Sequence, residues 1–147
     1  MNDERRPGEF RGPPEWLNDY VGLPYKLNGR DRLGLDCWGL LCLVWREQRG
    51  IELPDFRAPN DYDLVEGMRA VADNLPEGIR LTRAVAVEAP VDWDFVICYR
   101  GKLARHTGLY FGGGILHTHA QSLGARFDPE SKFNPAYPNR HYWRWLD

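Results

Sequence analysis

Cysteine and histidine supply a nucleophile and a proton acceptor near neutral pH. Cys37 stands in the run Gly34-Leu35-Asp36-Cys37-Trp38-Gly39-Leu40-Leu41-Cys42-Leu43-Val44-Trp45-Arg46-Glu47. A turn signal, Asn28-Gly29-Arg30-Asp31, leads to Asp36, a good helix N-cap. Trp38, Leu41, Cys42 and Trp45 then recur at i, i+3, i+4 and i+7, one apolar stripe of a helix. Arg46 to Arg49 form a polar last turn, and Gly50 is placed to stop it. Cys37 is therefore predicted at the first helical position, where unpaired N–H groups and the positive end of the helix dipole favour a thiolate. The plainer alternative is a small apolar residue at a helix start. Cys42 on the stripe and Cys98 in Phe95-Val96-Ile97-Cys98-Tyr99 read as core. Three cysteines without a Cys-x-x-Cys pair argue against a disulfide framework or a structural zinc site.

Three histidines follow in the form of a hairpin: His106-Thr107-Gly108-Leu109-Tyr110-Phe111, then Gly112-Gly113-Gly114, then Ile115-Leu116-His117-Thr118-His119. A two-residue turn at Gly112-Gly113 pairs Phe111 with Gly114. That register puts His106 opposite His119, with His117 diagonal to it and all three on one face. A three-residue loop moves both later histidines to the other face. On one face the imidazoles admit three readings. They are metal ligands, a Cys–His nucleophilic pair oriented by a second imidazole, or strand residues without chemistry. No carboxylate or cysteine at convincing ligand spacing supports the metal, so no metal and no cofactor is expected. A cysteine at a helix start with a histidine on a sheet strand is the papain-like arrangement.

The remaining elements must hold these residues. Residues 1–14, polar and rich in Pro, Gly and Arg, read as an extended arm, and 15–147 as one domain. Pro14 opens a short helix through Glu15, Trp16, Leu17 and Tyr20, ended by Gly22 and Pro24. Tyr25 lies on the loop into the central helix. Asn60 or Asp61 caps a second helix carrying Leu64, Met68, Val71 and Leu75. Strands are expected over Arg80–Val87, Phe95–Arg100, His106–Phe111, Ile115–His119, Gly124–Phe127 and Tyr142–Trp145, with Asp128–Asn139 as a surface loop. Helices first and strands afterwards indicate an α+β domain with a mainly antiparallel sheet.

Composition narrows the function. A formal net charge of −2 and the lack of a long Lys/Arg run argue against a nucleic-acid partner. No apolar stretch approaches a membrane span, so no membrane insertion is expected, and Met1 to Pro7 lacks the apolar core of a signal peptide.

Several motifs in order resemble the NlpC-type family of papain-like cysteine endopeptidases of bacterial cell walls. They are Tyr20-Val21-Gly22-Leu23-Pro24-Tyr25, Gly34-Leu35-Asp36-Cys37-Trp38-Gly39-Leu40, His106-Thr107-Gly108-Leu109-Tyr110-Phe111-Gly112 and Ile115-Leu116-His117. The resemblance implies Cys37 as nucleophile, His106 as base and His117 as the orienting third residue. Tyr25 matches a tyrosine whose hydroxyl approaches the active site, and Asp36 matches the residue before the nucleophile. Two departures stand out: Trp38 replaces the usual small residue after the nucleophile, and Trp93-Asp94 replaces Gly-Asp before the histidine strand. Trp38 reads as a core filler or as a pocket wall beside the substrate. The Asp-Cys-Trp-Gly variant resembles members carried by tailed phages and phage-like particles at the tail tip. The implied function is hydrolysis of an amide bond in the peptide stem of peptidoglycan, with tail-tip or hub proteins as partners and the virion tail as location. The alternatives are a catalytically silent tail plug with the same fold, or an amidase or acyl transferase on this scaffold.

Overall fold

The central helix, α1, runs over Cys37–Arg49 with the ends its sequence dictates. The Asp36 carboxylate accepts from the Gly39 N–H, and Gly50 closes the helix in the left-handed conformation at φ 65°. Cys37 through Trp45 are all buried, so the helix is enclosed on nearly every side over its first nine residues. The computed structural model describes residues 10–53, 84–101, 103–121 and 124–145. The second helix expected over Asn60–Leu75 and the first part of the arm lie outside these residues.

Ahead of α1, the short helix opened by Pro14 is a 3-10 helix over Glu15–Asp19. Two short strands, β1 (Arg30–Asp31) and β2 (Gly34–Leu35), make a small hairpin that delivers Asp36 to the cap. The main sheet contains β3 (Ala84–Val87), β4 (Phe95–Arg100), β5 (Leu103–Phe111), β6 (Gly114–His117), β7 (Arg126–Pro129) and β8 (Arg140–Trp145). Its order is β3-β8-β4-β5-β6-β7, and every pairing is antiparallel. This is the expected α+β class, a helix bearing the cysteine packed on an antiparallel sheet.

The β5–β6 hairpin has the two-residue turn, with Leu109, Tyr110 and Phe111 opposite Leu116, Ile115 and Gly114. Between β4 and β5 the register slips. Cys98 pairs with His106 but Tyr99 with Ala104, so Arg105 is an extra residue immediately before His106. Such a bulge bends a strand and re-aims its neighbours.

One expectation fails. The segment 128–139 is not a surface loop: Asp128 and Pro129 finish β7, and Glu130–Ala136 form a second helix, α2. Three prolines suggested a loop, yet Pro129 sits at the N-cap, outside the helical ladder, and Pro135 falls near the end. Fully buried Phe133 ties α2 to the sheet, and that burial outweighs the local preference.

Alternation along the strands separates two cores. Phe95, Ile97, Leu109, Phe111 and Leu116 pack with α1. Val96, Cys98, Tyr110, Ile115 and Tyr142 pack with Phe133 of α2. All six tryptophans belong to the first core: Trp38 and Trp45 are buried in it, and Trp16, Trp93, Trp143 and Trp145 pack against it. The end of the arm is held there too. Arg11 and Gly12 donate backbone N–H groups to the Gly112 carbonyl at the hairpin turn, and Arg11 pairs with Asp92 at 2.8 Å.

Candidate active site

Asp36 builds the start of α1 before any chemistry is considered. Its carboxylate is fully buried and accepts from Gly39 N–H at 2.7 Å, Asn28 N–H at 2.8 Å and the Arg30 guanidinium at 2.8 Å. Burial raises its pKa, while Arg30 and the two N–H groups oppose the rise. Asp36 is therefore the post that fixes Cys37 in space. Gly39 has to be glycine, because a Cβ there would run into the Gly29 carbonyl.

Cys37 is 3% exposed, and its sulfur lies at the backbone N–H groups of Trp38 and of Thr107, the neighbour of His106 on β5. Helix-start position alone predicts a thiolate, and here burial overrides it. Desolvation pushes the thiol up to about 12, the Asp36 charge adds to the rise, and the two N–H groups and Arg30 oppose it. His106 is held well below the usual imidazole range, chiefly by burial and then by His117 and His119. Both partners are neutral at rest near pH 7.

His106 Nε2 and His117 Nδ1 are 2.8 Å apart, their rings nearly perpendicular. His117 Nε2 lies 2.8 Å from Asp128 Oδ2. His117 is thus the imidazole joined to His106, diagonally across the hairpin. His119 lies beyond the end of β6, half-buried, with its ring centroid 5.9 Å from that of His106. Burial lowers the His117 pKa against the pull of Asp128. Asp128 stays below the usual carboxylate range: burial works against its charge, and hydrogen bonds from His117 and Arg126 outweigh burial. Arg126 holds the other carboxylate oxygen at 2.9 and 3.1 Å.

Aromatic rings enclose the pair. Tyr137, just after α2, stacks on His106 at 4.7 Å and 13°, and Phe133 meets the edge of His117 at 4.9 Å. Gly108 on β5 faces β6; a Cβ on it would meet Ile115 at 2.5 Å and His117 Cβ at 3.2 Å. Tyr25 is half-buried and bridges to Leu35, two residues ahead of Cys37. Trp38 turns its side chain into the core, edge-on to Phe95 and Trp145 and 2% exposed, so only its backbone faces the sulfur. Asp128, Phe133 and Tyr137 were not singled out in the sequence. The available signal was the alternation Arg126-Phe127-Asp128, which puts Asp128 on the same face of β7 as His117 on β6.

A cysteine at a helix start set against a histidine strand, with polar residues in line behind the histidine, defines a papain-like α+β domain. The chain belongs to the NlpC/P60 family, whose profile matches residues 22–146. It is 29% identical over 125 residues to the murein DD-endopeptidase MepS/murein LD-carboxypeptidase of Escherichia coli K12, and equally to that of Escherichia coli O157:H7. That match takes in 84% of this chain and 55% of the relative, so the chain spans about half the length of the curated proteins it resembles. The crystal structure of the NlpC/p60 domain of the peptidoglycan hydrolase SagA shares the fold, with a TM-score of 0.57 at 16% identity over 88% of this chain and 92% of that one.

Proposed function

We propose that this protein is a thiol hydrolase cleaving an amide bond in the peptide stem of peptidoglycan. The observation that carries the reading is the line of hydrogen bonds His106–His117–Asp128, which starts on the strand whose next residue, Thr107, presents its N–H to the Cys37 sulfur. His106 takes the Cys37 proton as sulfur attacks the carbonyl carbon, because two neutral groups must exchange a proton for the nucleophile to form. The tetrahedral oxyanion is met at the first helical turn. Gly39 and Leu40 N–H are committed to Asp36 and Trp38 N–H lies at the sulfur; the helix-start N–H of Cys37 is the donor assigned to the oxygen. One such donor contributes about 3 to 4 kcal/mol to the barrier reduction. Collapse breaks the C–N bond, protonated His106 gives its proton to the leaving amine, and water assisted by His106 releases the acyl group from sulfur.

The substrate assignment is supported by family membership and by the murein-cleaving relatives. The particle-borne role at a phage or phage-like tail tip, with hub proteins as neighbours, rests on the Asp36-Cys37-Trp38-Gly39 variant. Two measurements test the reading. Purified protein should release stem-peptide fragments from cell-wall sacculi, identified by mass spectrometry, and Cys37→Ala should release none. Proteomics of purified particles should find the chain. Intact sacculi after prolonged incubation would leave the silent tail plug as the better account.

A further inference from the structure

We infer that Asp128 is a positioning residue that dictates which nitrogen of each imidazole carries a proton, and so makes His106 Nδ1 the base. The inference deepens the thiol-hydrolase reading and rests on it for its catalytic consequence, though not for the proton placement itself. Arg126 occupies Oδ1 of Asp128 at 2.9 and 3.1 Å, with Lys132 Nζ 3.6 Å from the same oxygen. An ionised carboxylate only accepts hydrogen bonds. Oδ2 must therefore receive the proton of His117 Nε2, 2.8 Å away. Neutral His117 then has a bare Nδ1, which must accept from His106 Nε2–H, also at 2.8 Å. Neutral His106 has one proton and it is on Nε2, so Nδ1 is its only basic nitrogen. One carboxylate two residues removed along the hydrogen-bond line settles the proton state of the whole chain.

Every titratable group around the line is compatible with that assignment. Cys37 on α1 and Cys98 on β4 are buried thiols with raised pKa values, and Tyr137 after α2 is a phenol pushed up to about 12. His119 is lowered by burial and by Arg126. Arg140 on β8 also lies within electrostatic reach of Cys98. Arg126 and Lys132 are turned to Asp128. None of these offers His117 Nε2 a competing acceptor.

Asp128→Asn is the discriminating change, because an amide both accepts and donates. Arg126 will claim the amide oxygen, leaving NH2 towards His117 Nε2. The line then reverses: His117 Nε2 accepts, His117 Nδ1–H donates to His106 Nε2, and the His106 proton moves to Nδ1. The base is occupied while the fold and the rings stay in place. In the serine-protease triad the same carboxylate-to-amide change lowers kcat by about 10⁴-fold through the wrong tautomer. A loss of about 10³- to 10⁴-fold in kcat with little change in KM is expected here.

The experiment is imidazole nitrogen NMR on 15N-histidine-labelled protein, wild type, Asp128→Asn and Asp128→Glu. Wild type and Asp128→Glu should show protonated Nε2 on both His106 and His117; Asp128→Asn should show protonated Nδ1 on both. Unchanged tautomers in Asp128→Asn overturn the inference, as does a wild-type His117 protonated at Nδ1, a reading that needs no variant to fold. Cell-wall assays on the same samples separate the two claims. Reversed tautomers in a protein whose wild type cuts nothing would refute the hydrolase reading and leave the proton placement standing.

Discussion

Gly108→Ala tests whether the spacing of the two histidine strands governs the chemistry. The added Cβ would sit 2.5 Å from Ile115 Cγ2, 3.0 Å from the Leu116 carbonyl oxygen and 3.2 Å from His117 Cβ. Ordinary contact between such atoms begins near ~3.4 Å, so the Ile115 contact must open by about 0.9 Å and the His117 contact by about 0.2 Å. Ile115 is fully buried in the core that carries Phe133, so rotation alone does not relieve the clash and β6 has to move. Overpacking of this kind costs about 1 to 3 kcal/mol, which for a domain of this size lowers Tm by about 3 to 10 °C. The same movement stretches the 2.8 Å bond between His106 and His117. Misplacement by a fraction of an ångström at a reacting centre makes a 10- to 100-fold loss in kcat the order of magnitude to expect. Fragment release from sacculi gives the rate and calorimetry gives Tm. Gly50→Ala is the control: its φ is 65° with nothing within 4 Å of the new Cβ, so it should lower Tm through backbone strain alone, without touching kcat. If Gly108→Ala lowers Tm as expected yet keeps kcat within about two-fold of wild type, the reasoning that ties catalysis to strand spacing is refuted.

His117→Ala should reduce kcat far more than His119→Ala, since His117 bonds both His106 and Asp128; equal losses would show that the line of bonds is not the working unit. Asp36→Ala removes the helix cap and leaves half-buried Arg30 without its carboxylate. A denaturant titration should show a loss of about 3 to 5 kcal/mol, and a loss under about 1 kcal/mol would mean that Arg30 finds another partner. Acid should weaken the fold earlier than carboxylate titration alone would. His106 and His117 have depressed pKa values in the folded state, so below about 6.5 the unfolded chain binds protons that the folded chain refuses. Their contribution is complete above about 6.5 and falls away as pH drops towards the folded values, with a slope approaching about 1.4 kcal/mol per pH unit for each buried imidazole. Asp128 adds a further loss at lower pH, its carboxyl being depressed as well. Urea midpoints at pH 7, 6 and 5 check this, and a flat series would contradict the neutral histidines.

Local chemistry made much of this fold legible. Asp36, the stripe through Trp45 and Gly50 bound α1 because cap, burial and stop each act within a few residues. The glycine turn set the β5–β6 register for the same reason. What the sequence hid depends on contacts between distant segments. Asp128 matters through β7 lying beside β6, and Phe133 forms a helix turn despite its prolines because it covers two imidazoles. The electrostatics of Cys37 likewise depend on distant contacts. A helix start is visible in the sequence, while the depth at which Thr107 and its strand bury the sulfur is not.

The partition of aromatic residues gives the molecule two optical halves. Indole emission comes from Trp16, Trp38, Trp45, Trp93, Trp143 and Trp145, all on the α1 side of the sheet. The side that carries Phe133 holds Tyr110, Tyr142 and, stacked on His106, Tyr137. Intrinsic tryptophan fluorescence will therefore follow the release of α1 and remain silent while the histidine side loosens. Tyrosine absorbance in the near ultraviolet will register that second event through Tyr110, Tyr137 and Tyr142, over a background from Tyr20 and Tyr99 on the α1 side. A variant at Asp128 or Gly108 with a wild-type tryptophan spectrum is thus not shown to have an intact site, and the two signals recorded together resolve unfolding of the scaffold from loosening of the imidazole line.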